Sequence, residues 1–362
     1  MKNNILLLAP CPPGLGGIAT WSKMIGDYSS EDKDNNLFFI NVGSNKVNNM
    51  DRNIFQRIFY GLEDLFEVKK KVKNLIANNG IDLFHMTVTG SLSILRDRVL
   101  LNIARKNNIP VILHIRIGRV PEIKKKRSLE WALLKKNLKK ASKIITIDQS
   151  TYYSLSDFGN KVTNITNPID VNKYINCSKA HLQNGCITYV GWIIKEKGIE
   201  ELLDSFNRIK VGRSLSLNLV GPYNVKYLNT LKEKYSFENV NVFGKQNNSD
   251  TLKIVADSEL FVLPSYTEGC PNSVLEAMLC KTPIIASNVG AIPELLDGEC
   301  GLIVNAQDKD DLLEKMTYLL NDVGLQNRLI ENAYKKATTD FSLPCIYEKY
   351  KKIWDETVNK GR

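Results

Sequence analysis

The stretch from Phe261 to Val304 constrains the fold most, because its apolar pattern changes period twice within one short segment. A strand-like apolar run ends at Pro264, and apolar residues return at helical spacing after Pro271, which suits the first position of a helix. A second apolar run, Pro283 to Ala286, follows that helix. Strand, helix and strand in this order predict a βαβ unit of a parallel sheet, and such sheets bind ligands at the carboxyl ends of their strands.

Two carboxylates lie at this predicted edge: Glu268 in the loop and Glu276 in the second turn of the helix. The first helical amides, those of Asn272, Ser273 and Val274, would face the same loop, and free amides at a helix N-terminus suit a phosphate. Carboxylates beside a phosphate site favour a ligand that also carries hydroxyls, as a nucleotide sugar does. Taken singly, each glutamate has the alternative interpretation of a solvated surface charge.

The rest of the chain alternates strands and helices in two series, and its 362 residues are many for a single core. Asn167 to Asp170 breaks the first series, and a polar segment follows up to Asn184. The pattern predicts an α/β protein with two Rossmann-like domains, residues 1–170 and 171–343, each built on a parallel sheet. The predicted strands are Asn4–Ala9, Leu37–Val42, Ile81–Met86, Pro110–Ile115 and Lys143–Ile147, then Cys186–Gly191, Ser214–Val220, Val240–Phe243, Leu260–Leu263, Pro283–Ala286 and Leu302–Val304.

The 261–304 stretch resembles the glutamate, seven residues, glutamate motif of the retaining GT-B glycosyltransferases of family 4, the glycogen-synthase-like enzymes. The matching segments are Pro264-Ser265, Glu268-Gly269, Leu275-Glu276-Ala277-Met278, Thr282 to Ala286 and Ile292-Pro293-Glu294. The resemblance implies a GT-B fold, with parallel sheets facing across a cleft, an N-terminal acceptor-binding domain and a C-terminal donor-binding domain. It also implies that the last helix, within residues 344–362, packs back on the first domain.

The resemblance further implies a retaining hexosyltransferase, which moves a sugar from a nucleoside diphosphate sugar, expected to be a UDP- or GDP-sugar, to an acceptor hydroxyl. A basic face and an expected cytoplasmic location, both described below, favour a glycan or polyprenyl-linked acceptor. Glu276 would hold the ribose and Glu268 the hydroxyls of the donor sugar. Fixed positive groups aimed at the departing diphosphate can do what a metal ion does elsewhere, so no metal or other cofactor is expected.

Gly191 and Lys197 match a second motif of the same family, in which the lysine neutralises the departing diphosphate. The arginine of that motif is absent, and Trp192 stands in its place. Arg116 and Arg119 of the first domain are candidates to replace it. The missing arginine leaves a non-catalytic GT-B scaffold as an alternative function.

Gly16 and Gly17 belong to a glycine loop, Gly14 to Ala19, which follows a strand and opens a helix. The loop fits the dinucleotide fingerprint and leaves an NAD(P)-dependent oxidoreductase as another alternative. That fingerprint requires an acidic residue about 20 residues further on, but the predicted second strand ends in Asn41-Val42-Gly43. In the family that the chain resembles, this loop contacts donor or acceptor; a plain tight turn is the third interpretation.

Two histidines lie at the carboxyl ends of predicted strands, His85 and His114. His114 matches the family's acceptor-domain histidine, which implies a catalytic position near the donor sugar. For His85 we expect a structural role, as is usual for a single histidine at a strand end.

Basic residues outnumber acidic ones between Arg116 and Lys143, in a chain with a net charge of +10. A helix capped by Ser128 and running to Ala141 would turn apolar residues inward and lysines outward. This predicts an acceptor or membrane face, and its partner would be an anionic membrane surface; a solvated basic face is the alternative. The face comprises Arg116, Arg119, Lys135, Lys136, Lys139 and Lys140. No nucleic-acid-binding motif accompanies the charge, so nucleic acid is not an expected partner.

The seven cysteines and three histidines are scattered without metal-ligand spacing, which again predicts no metal site. The D-x-D pairs at 32–34 and 308–310 lie in polar stretches and are interpreted as surface charge. The first apolar run, Ile5 to Ala9, is too short for a signal peptide, and no stretch approaches a membrane span. These features predict a cytoplasmic protein, with peripheral attachment to the inner face of a membrane as an addition.

Overall fold

The computed structural model of the protein describes residues 2–12, 16–43, 54–91, 93–174, 183–212 and 214–361. The chain forms two compact units. Unit 1 comprises Met1–Pro168 and Leu343–Arg362, and unit 2 comprises Ile169–Ser342. The sequence-based boundaries are 170/171 and 343/344.

Unit 1 is built on a parallel sheet with the strand order β2-β1-β3-β4-β5-β6. Its strands are β1 Asn3–Ala9, β2 Asn35–Asn41, β3 Leu83–Val88, β4 Val111–Ile115, β5 Lys143–Thr146 and β6 Val162–Asn164. Its first helices are α1 Gly17–Ser29, α2 Ile54–Asn79, α3 Ser93–Lys106, α4 Val120–Lys125, α5 Leu129–Leu138 and α6 Gln149–Ser154. The sequence does not predict β6, because this short edge strand has only one buried residue, Val162, and so no apolar run.

Unit 2 repeats the architecture with the strand order β12-β11-β10-β7-β8-β9. Its strands are β7 Gln183–Val190, β8 Ser216–Val220, β9 Val240–Gly244, β10 Ser258–Leu263, β11 Ile284–Ser287 and β12 Leu302–Val304. Its helices are α7 Ile199–Ile209, α8 Val225–Lys234, α9 Asn248–Ala256, α10 Asn272–Leu279, α11 Ile292–Leu296, α12 Lys309–Asn321 and α13 Val323–Thr339. Among the described strands, all ladder pairs are parallel, as alternating strands and helices require.

The last helix, α14 Leu343–Gly361, returns to unit 1 and packs with α1 on one face of its sheet. Side chains of β1 alternate between the two faces, so that Ile5 and Leu7 face α14 while Leu6 and Leu8 face the opposite helices. Helices cover both faces of the sheet, which explains why the central strands β3 and β4 are buried at every position. The buried side chains of α14 recur at helical spacing: Leu343, Ile346, Tyr347, Tyr350, Ile353, Trp354 and Val358.

The D-x-D pairs serve the fold, and one expectation about them is wrong. Asp32 is buried and accepts hydrogen bonds from the backbone amide of Asp34 at 2.8 Å and from the hydroxyl of Tyr347 at 2.9 Å. Burial raises the pKa of Asp32, but these bonds outweigh it, so that the pKa is lowered overall. Asp32 therefore joins the start of β2 to α14, and Asp308 caps α12 through the amides of Asp310 and Asp311.

Each sheet has a switch point, a pair of neighbouring strands from which the chain continues toward opposite edges of the sheet. The loops that follow these two strands diverge and leave a crevice between them. In unit 1 this point lies between β1 and β3, and in unit 2 it lies between β7 and β10. Within the described ranges, no helix combines the length and the apolar character that a membrane span requires.

Candidate functional site

The loops after β7 and β10 meet at the switch point of unit 2. Gly198 has φ +70°, and a Cβ built on it would lie 2.0 Å from the carbonyl oxygen of Pro264. The amide of Tyr266 donates to the carbonyl oxygen of Glu196 at 2.9 Å. Only glycine permits this approach of the two backbones, because any Cβ would overlap the carbonyl group. The two loops therefore form one continuous edge of the crevice.

An ion pair joins the two loops and unites two of the predicted catalytic residues. Lys197 Nζ lies 2.5 Å from Glu268 Oε1, and the two side chains are 22% and 13% exposed. The hydroxyl of the buried Ser265 donates to the same Oε1 at 2.7 Å. The tertiary fold thus brings together two residues that are 71 positions apart in the sequence.

Glu276 lies in the second turn of α10, as predicted, and its side chain is half-buried. Asn248, at the start of α9, donates to Glu276 Oε1 at 3.2 Å, and Tyr174 also forms a hydrogen bond with this carboxylate. Loss of surrounding water raises the pKa of Glu276, while the two hydrogen bonds act in the opposite direction. Sequence reasoning missed both partners; Tyr174 lies in the polar segment that had no predicted structure, where it ends a short 3-10 turn.

The start of α10 differs from the prediction in two respects. Pro271 is the N-cap residue, and the helix begins at Asn272. The amide of Val274 donates to the carbonyl oxygen of Pro271 at 3.3 Å, and Val274 is fully buried. The expectation of a free Val274 amide at the phosphate site is therefore wrong, because a tight first turn satisfies it. Asn272 and Ser273 are half-buried at the same helix start.

Gly191 is held by backbone packing within unit 2. Its amide donates to the carbonyl oxygen of Val220 at 2.9 Å, and a Cβ at this position would lie 2.5 Å from the hydroxyl of Tyr189. That hydroxyl donates to the carbonyl oxygen of Trp192 at 2.7 Å. Trp192, which stands in place of the family's arginine, is a residue that is 40% exposed.

In unit 1, Gly16 caps α1 with φ +111°, and Gly17 is the first residue of the helix. The space around Gly16 is open, so glycine is needed there for its conformation. Gly14 and Leu15 lie outside the described residues. The dinucleotide fingerprint requires an acidic residue at the end of the second strand. Strand β2 ends in Asn41 instead, and its side chain accepts hydrogen bonds from the backbone amides of Cys11 and Gly43. The oxidoreductase alternative is not favoured.

His85 and His114 form a buried pair, with His85 Nε2 lying 3.1 Å from His114 Nδ1. Burial, with a smaller effect of the Arg116 charge, lowers the pKa of His85 to about 3. Burial and the charges of Arg116 and His85 hold the pKa of His114 well below its usual range. Trp354 of α14 donates its indole N–H to His85 Nδ1 at 2.9 Å. Both rings are therefore neutral near pH 7 and belong to one hydrogen-bonded chain.

Helix α5 has the predicted cap and inward face, but it ends at Leu138, three residues before the predicted end at Ala141. Ser128 caps it by accepting from the amide of Trp131 at 3.1 Å. The predicted inward residues are all buried: Trp131, Leu134, Leu138 and Ala141. Lys135, Lys136 and Lys139 are exposed, whereas Lys140 is half-buried and bonded to Asn102 at 3.0 Å.

The two arginines of the predicted face are engaged within unit 1. Arg119 forms an ion pair with Glu130 at 2.9 Å and donates to the hydroxyl of Ser91 at 3.1 Å. Arg116 is buried, and its guanidinium lies over the ring of Trp21 at 4.6 Å. In the part of the chain that the structure describes, no three His, Cys, Asp or Glu residues are grouped to hold a metal ion.

Residues 173–336 match the protein family described as Glycosyl transferases group 1. The capsular polysaccharide biosynthesis glycosyltransferase CapM of Staphylococcus aureus is 32% identical over 182 residues, which are 49% of this chain and 48% of CapM. The match thus spans about half the length of CapM.

Several solved structures resemble nearly the whole chain, a sucrose-phosphate synthase and HepE among them. Sucrose-phosphate synthase from Thermosynechococcus elongatus has a TM-score of 0.79 at 18% identity, covering 98% of this chain and 99% of its own. Anabaena HepE, solved in complex with UDP, has a TM-score of 0.74 at 17% identity, covering 98% of this chain and 100% of its own. At such identities the likeness shows the fold alone, and it confirms the predicted α/β fold of the GT-B class.

Proposed function

We propose, from the match of residues 173–336 to the family of Glycosyl transferases group 1, that the chain is a retaining, metal-independent hexosyltransferase. It moves a sugar from a nucleoside diphosphate sugar to a hydroxyl of a glycan or a lipid-linked acceptor. The observation that carries this proposal is the pairing of Lys197 with Glu268 at the switch point of unit 2. A cation, two carboxylates and a helix start at one sheet edge provide partners for a diphosphate and for sugar hydroxyls.

Lys197 is proposed to stabilise the leaving group. As the bond between the anomeric carbon and the phosphate oxygen breaks, negative charge collects on the diphosphate. A fixed ammonium group beside it lowers the energy of that state without a metal ion. The Glu268 carboxylate holds Lys197 Nζ in place at 2.5 Å, which supports this role.

Glu268 is proposed to bind the donor sugar. Its contacts with Lys197 and Ser265 both use Oε1. Among the contacts of the described residues, Oε2 is thus the oxygen left for a sugar hydroxyl. No side chain is assigned as the general base, because an oxygen of the donor phosphate can accept the proton of the attacking hydroxyl, in keeping with retention.

Glu276 is proposed to bind the ribose hydroxyls. A carboxylate with reduced hydration gains more from a hydroxyl donor than one in bulk water does, and Asn248 and Tyr174 fix its position. The acceptor is proposed to be an envelope glycan or a polyprenyl-linked one, since CapM is named for capsular polysaccharide biosynthesis. The exposed lysines of α5 would hold the protein on an anionic membrane surface where such acceptors reside.

Calorimetric titration with UDP, GDP, ADP and NADH, all in the presence of EDTA, tests the donor site. We expect one nucleoside diphosphate to bind without a metal ion. Glu276→Ala should weaken that binding roughly ten- to a hundredfold, because hydrogen bonds to a charged group are lost. Glu314→Ala is the matched control, since Glu314 lies on α12 with a side chain that is 76% exposed.

Binding of NADH alone would overturn the proposal, and equal binding by the wild type and Glu276→Ala would remove the role of Glu276. Release of the nucleoside diphosphate is then measured with a panel of UDP- and GDP-sugars. Release from one of these donors identifies the protein as an enzyme and not a non-catalytic scaffold. Binding without release in the wild type would favour the scaffold, for which Trp192 in place of an arginine is the supporting feature.

A further inference from the structure

All four tryptophans of the chain lie within the described ranges, and only Trp192 reaches the surface. It is 40% exposed, whereas Trp21, Trp131 and Trp354 are buried. Because the backbone makes up little of a tryptophan's surface, most of this exposure belongs to the indole. Trp21 and Trp354 donate their indole N–H groups to partners in the core. Among the contacts of the described residues, the indole of Trp192 has neither a hydrogen bond nor a contact with a ring or a cation.

Hydrogen bonds fix the backbone around Trp192. Its carbonyl oxygen accepts from the hydroxyl of Tyr189 at 2.7 Å and from the amide of Ile194 at 3.0 Å. The amide of the fully buried Ile193 donates to the carbonyl oxygen of Pro222, in the loop after β8, at 2.8 Å. An aromatic side chain on a fixed backbone loses little conformational freedom when a ligand binds to it. Trp192 therefore combines a held backbone with an unpartnered aromatic surface.

Trp192 lies at the part of the crevice that contains Lys197 and Glu268. It follows β7, one of the two switch-point strands of unit 2. The amide of Lys197 donates to the carbonyl oxygen of Ile194 at 3.1 Å, so consecutive turns join Trp192 to the lysine. The hydroxyl of Tyr189, which holds the Trp192 carbonyl, has a pKa raised by burial and then by the charge of Glu268. This effect of the charge indicates that Glu268 is near that hydroxyl.

We propose that the indole of Trp192 stacks on the ring of the donor sugar and is a specificity-determining residue of the site. This inference rests on the proposed transferase function, and it concerns the sugar and not the nucleotide. The faces of a hexose ring carry C–H groups and its rim carries hydroxyls. A flat aromatic surface therefore fits a face of the ring, while the Glu268 carboxylate binds the rim. The indole N–H, which can only donate, is left for an oxygen of the same donor.

The place of Trp192 also separates it from the ribose. Glu276, the proposed ribose ligand, is held by Asn248 and Tyr174 at the starts of other elements. The contacts of Trp192 instead lead to Tyr189, beside Glu268. An arginine at position 192 would add a second cation for the diphosphate. The tryptophan gives up that charge and adds an apolar surface for the sugar.

The exposure of Trp192 makes it a fluorescent probe of its own surroundings in the full-length protein. Acrylamide quenches exposed tryptophans, so most of the quenching should be lost in Trp192→Phe, because the other three are buried. The two ligands are the tightest-binding nucleotide sugar of the UDP- and GDP-sugar panel and its nucleoside diphosphate. We expect the nucleotide sugar to protect Trp192 from acrylamide and the nucleoside diphosphate to leave it accessible. Equal protection by the two ligands would overturn the assignment to the sugar.

Trp192→Ala removes the ring. By calorimetry we expect binding of the nucleotide sugar to weaken about tenfold, the effect of one lost aromatic contact, and the Kd of the nucleoside diphosphate to stay unchanged. Tyr318→Ala is the matched control, since Tyr318 is an aromatic residue of α12 that is 54% exposed. Its two affinities should match those of the wild type. Equal affinity of the wild type and Trp192→Ala for the nucleotide sugar would refute the stacking.

Trp192→Phe and Trp192→Leu give an independent test if Trp192→Ala does not fold. Phenylalanine keeps a flat ring, whereas leucine keeps only an apolar side chain, so the first variant should bind the nucleotide sugar more tightly. Equal binding by the two would contradict a role of the ring. If binding depends on Trp192 as expected but the wild type releases no diphosphate from any donor, the transferase function fails and the sugar site stands. If the wild type binds no member of the panel, both proposals fail.

Discussion

At Gly198 the backbone has φ +70° and lies against the carbonyl oxygen of Pro264, one position after the lysine that pairs with Glu268. The sequence marks this glycine only as part of a motif. The close approach of a second loop explains why no other residue fits. Gly16 differs in this respect, since no atom lies within 4 Å of a Cβ built on it.

Gly198→Ala is predicted to destabilise unit 2 and to displace Lys197. Gly212→Ala is the matched control, because Gly212 also has positive φ, +76°, but has no atom within 4 Å of a built Cβ. Both variants carry the backbone strain of about 1–2 kcal/mol, and overlap with Pro264 should add about 1–3 kcal/mol to the first alone. Chemical denaturation measures the difference. Equal free energies of unfolding for the two variants would contradict the contact between the loops.

The sequence predicts the start and the inward face of helix α5, although the helix ends at Leu138 and not at Ala141. Its apolar residues at helical spacing face inward, and Ser128 caps it because its hydroxyl accepts the amide of Trp131. Helix α10 is predicted less well at its start. There Pro271 caps the helix and the amide of Val274 is bonded within the first turn. Local pattern gives the period of a helix, whereas the geometry of its first turn depends on the loop that enters it.

The basic face of α5 is predicted to mediate attachment to anionic membranes. Combined substitution of Lys135, Lys136 and Lys139 by Gln should weaken binding to vesicles that contain anionic lipid by about tenfold or more, since each such charge contributes about 1 kcal/mol near the surface. Sedimentation with vesicles measures this binding.

The control is the triple substitution of Lys226, Lys232 and Lys335 by Gln, three exposed lysines of unit 2 that give the same change in net charge. An equal loss of vesicle binding in both triple variants would mean that total charge, and not the α5 face, drives attachment.

At the scale of the whole molecule, the chain leaves unit 1 at Pro168, completes unit 2 and returns at Leu343. Helix α14 therefore closes the core of a unit that began more than 300 residues earlier in the sequence, and it supplies Trp354 to the histidine pair. Its apolar spacing predicts a helix. The partners of its buried face come from β1, β3 and α1, which no local pattern identifies.

Deletion of residues 343–362 is predicted to destabilise unit 1 selectively. The core of this face loses the large side chains of α14, each of which contributes about 1.5–3 kcal/mol when buried. Hydrogen exchange should show protection in β1 and β3 falling by at least about 3 kcal/mol, with protection in β7 and β10 retained. Retained protection in β1, or a matching loss in β7, would contradict the assignment of α14 to unit 1.

Much of this protein can be predicted from the order of its residues: the two α/β series, the elements that carry Glu268, Glu276 and Lys197, and the inward face of α5. These features are local, because periodicity and turn residues act over a few positions. Contacts between distant segments are different, since they depend on how the strands are ordered in each sheet. The pairing of Lys197 with Glu268 and the chain from Trp354 to His114 arise only when loops and helices far apart in sequence pack together. The burial of Asp32 has the same origin, because a polar stretch becomes interior when α14 returns to cover it.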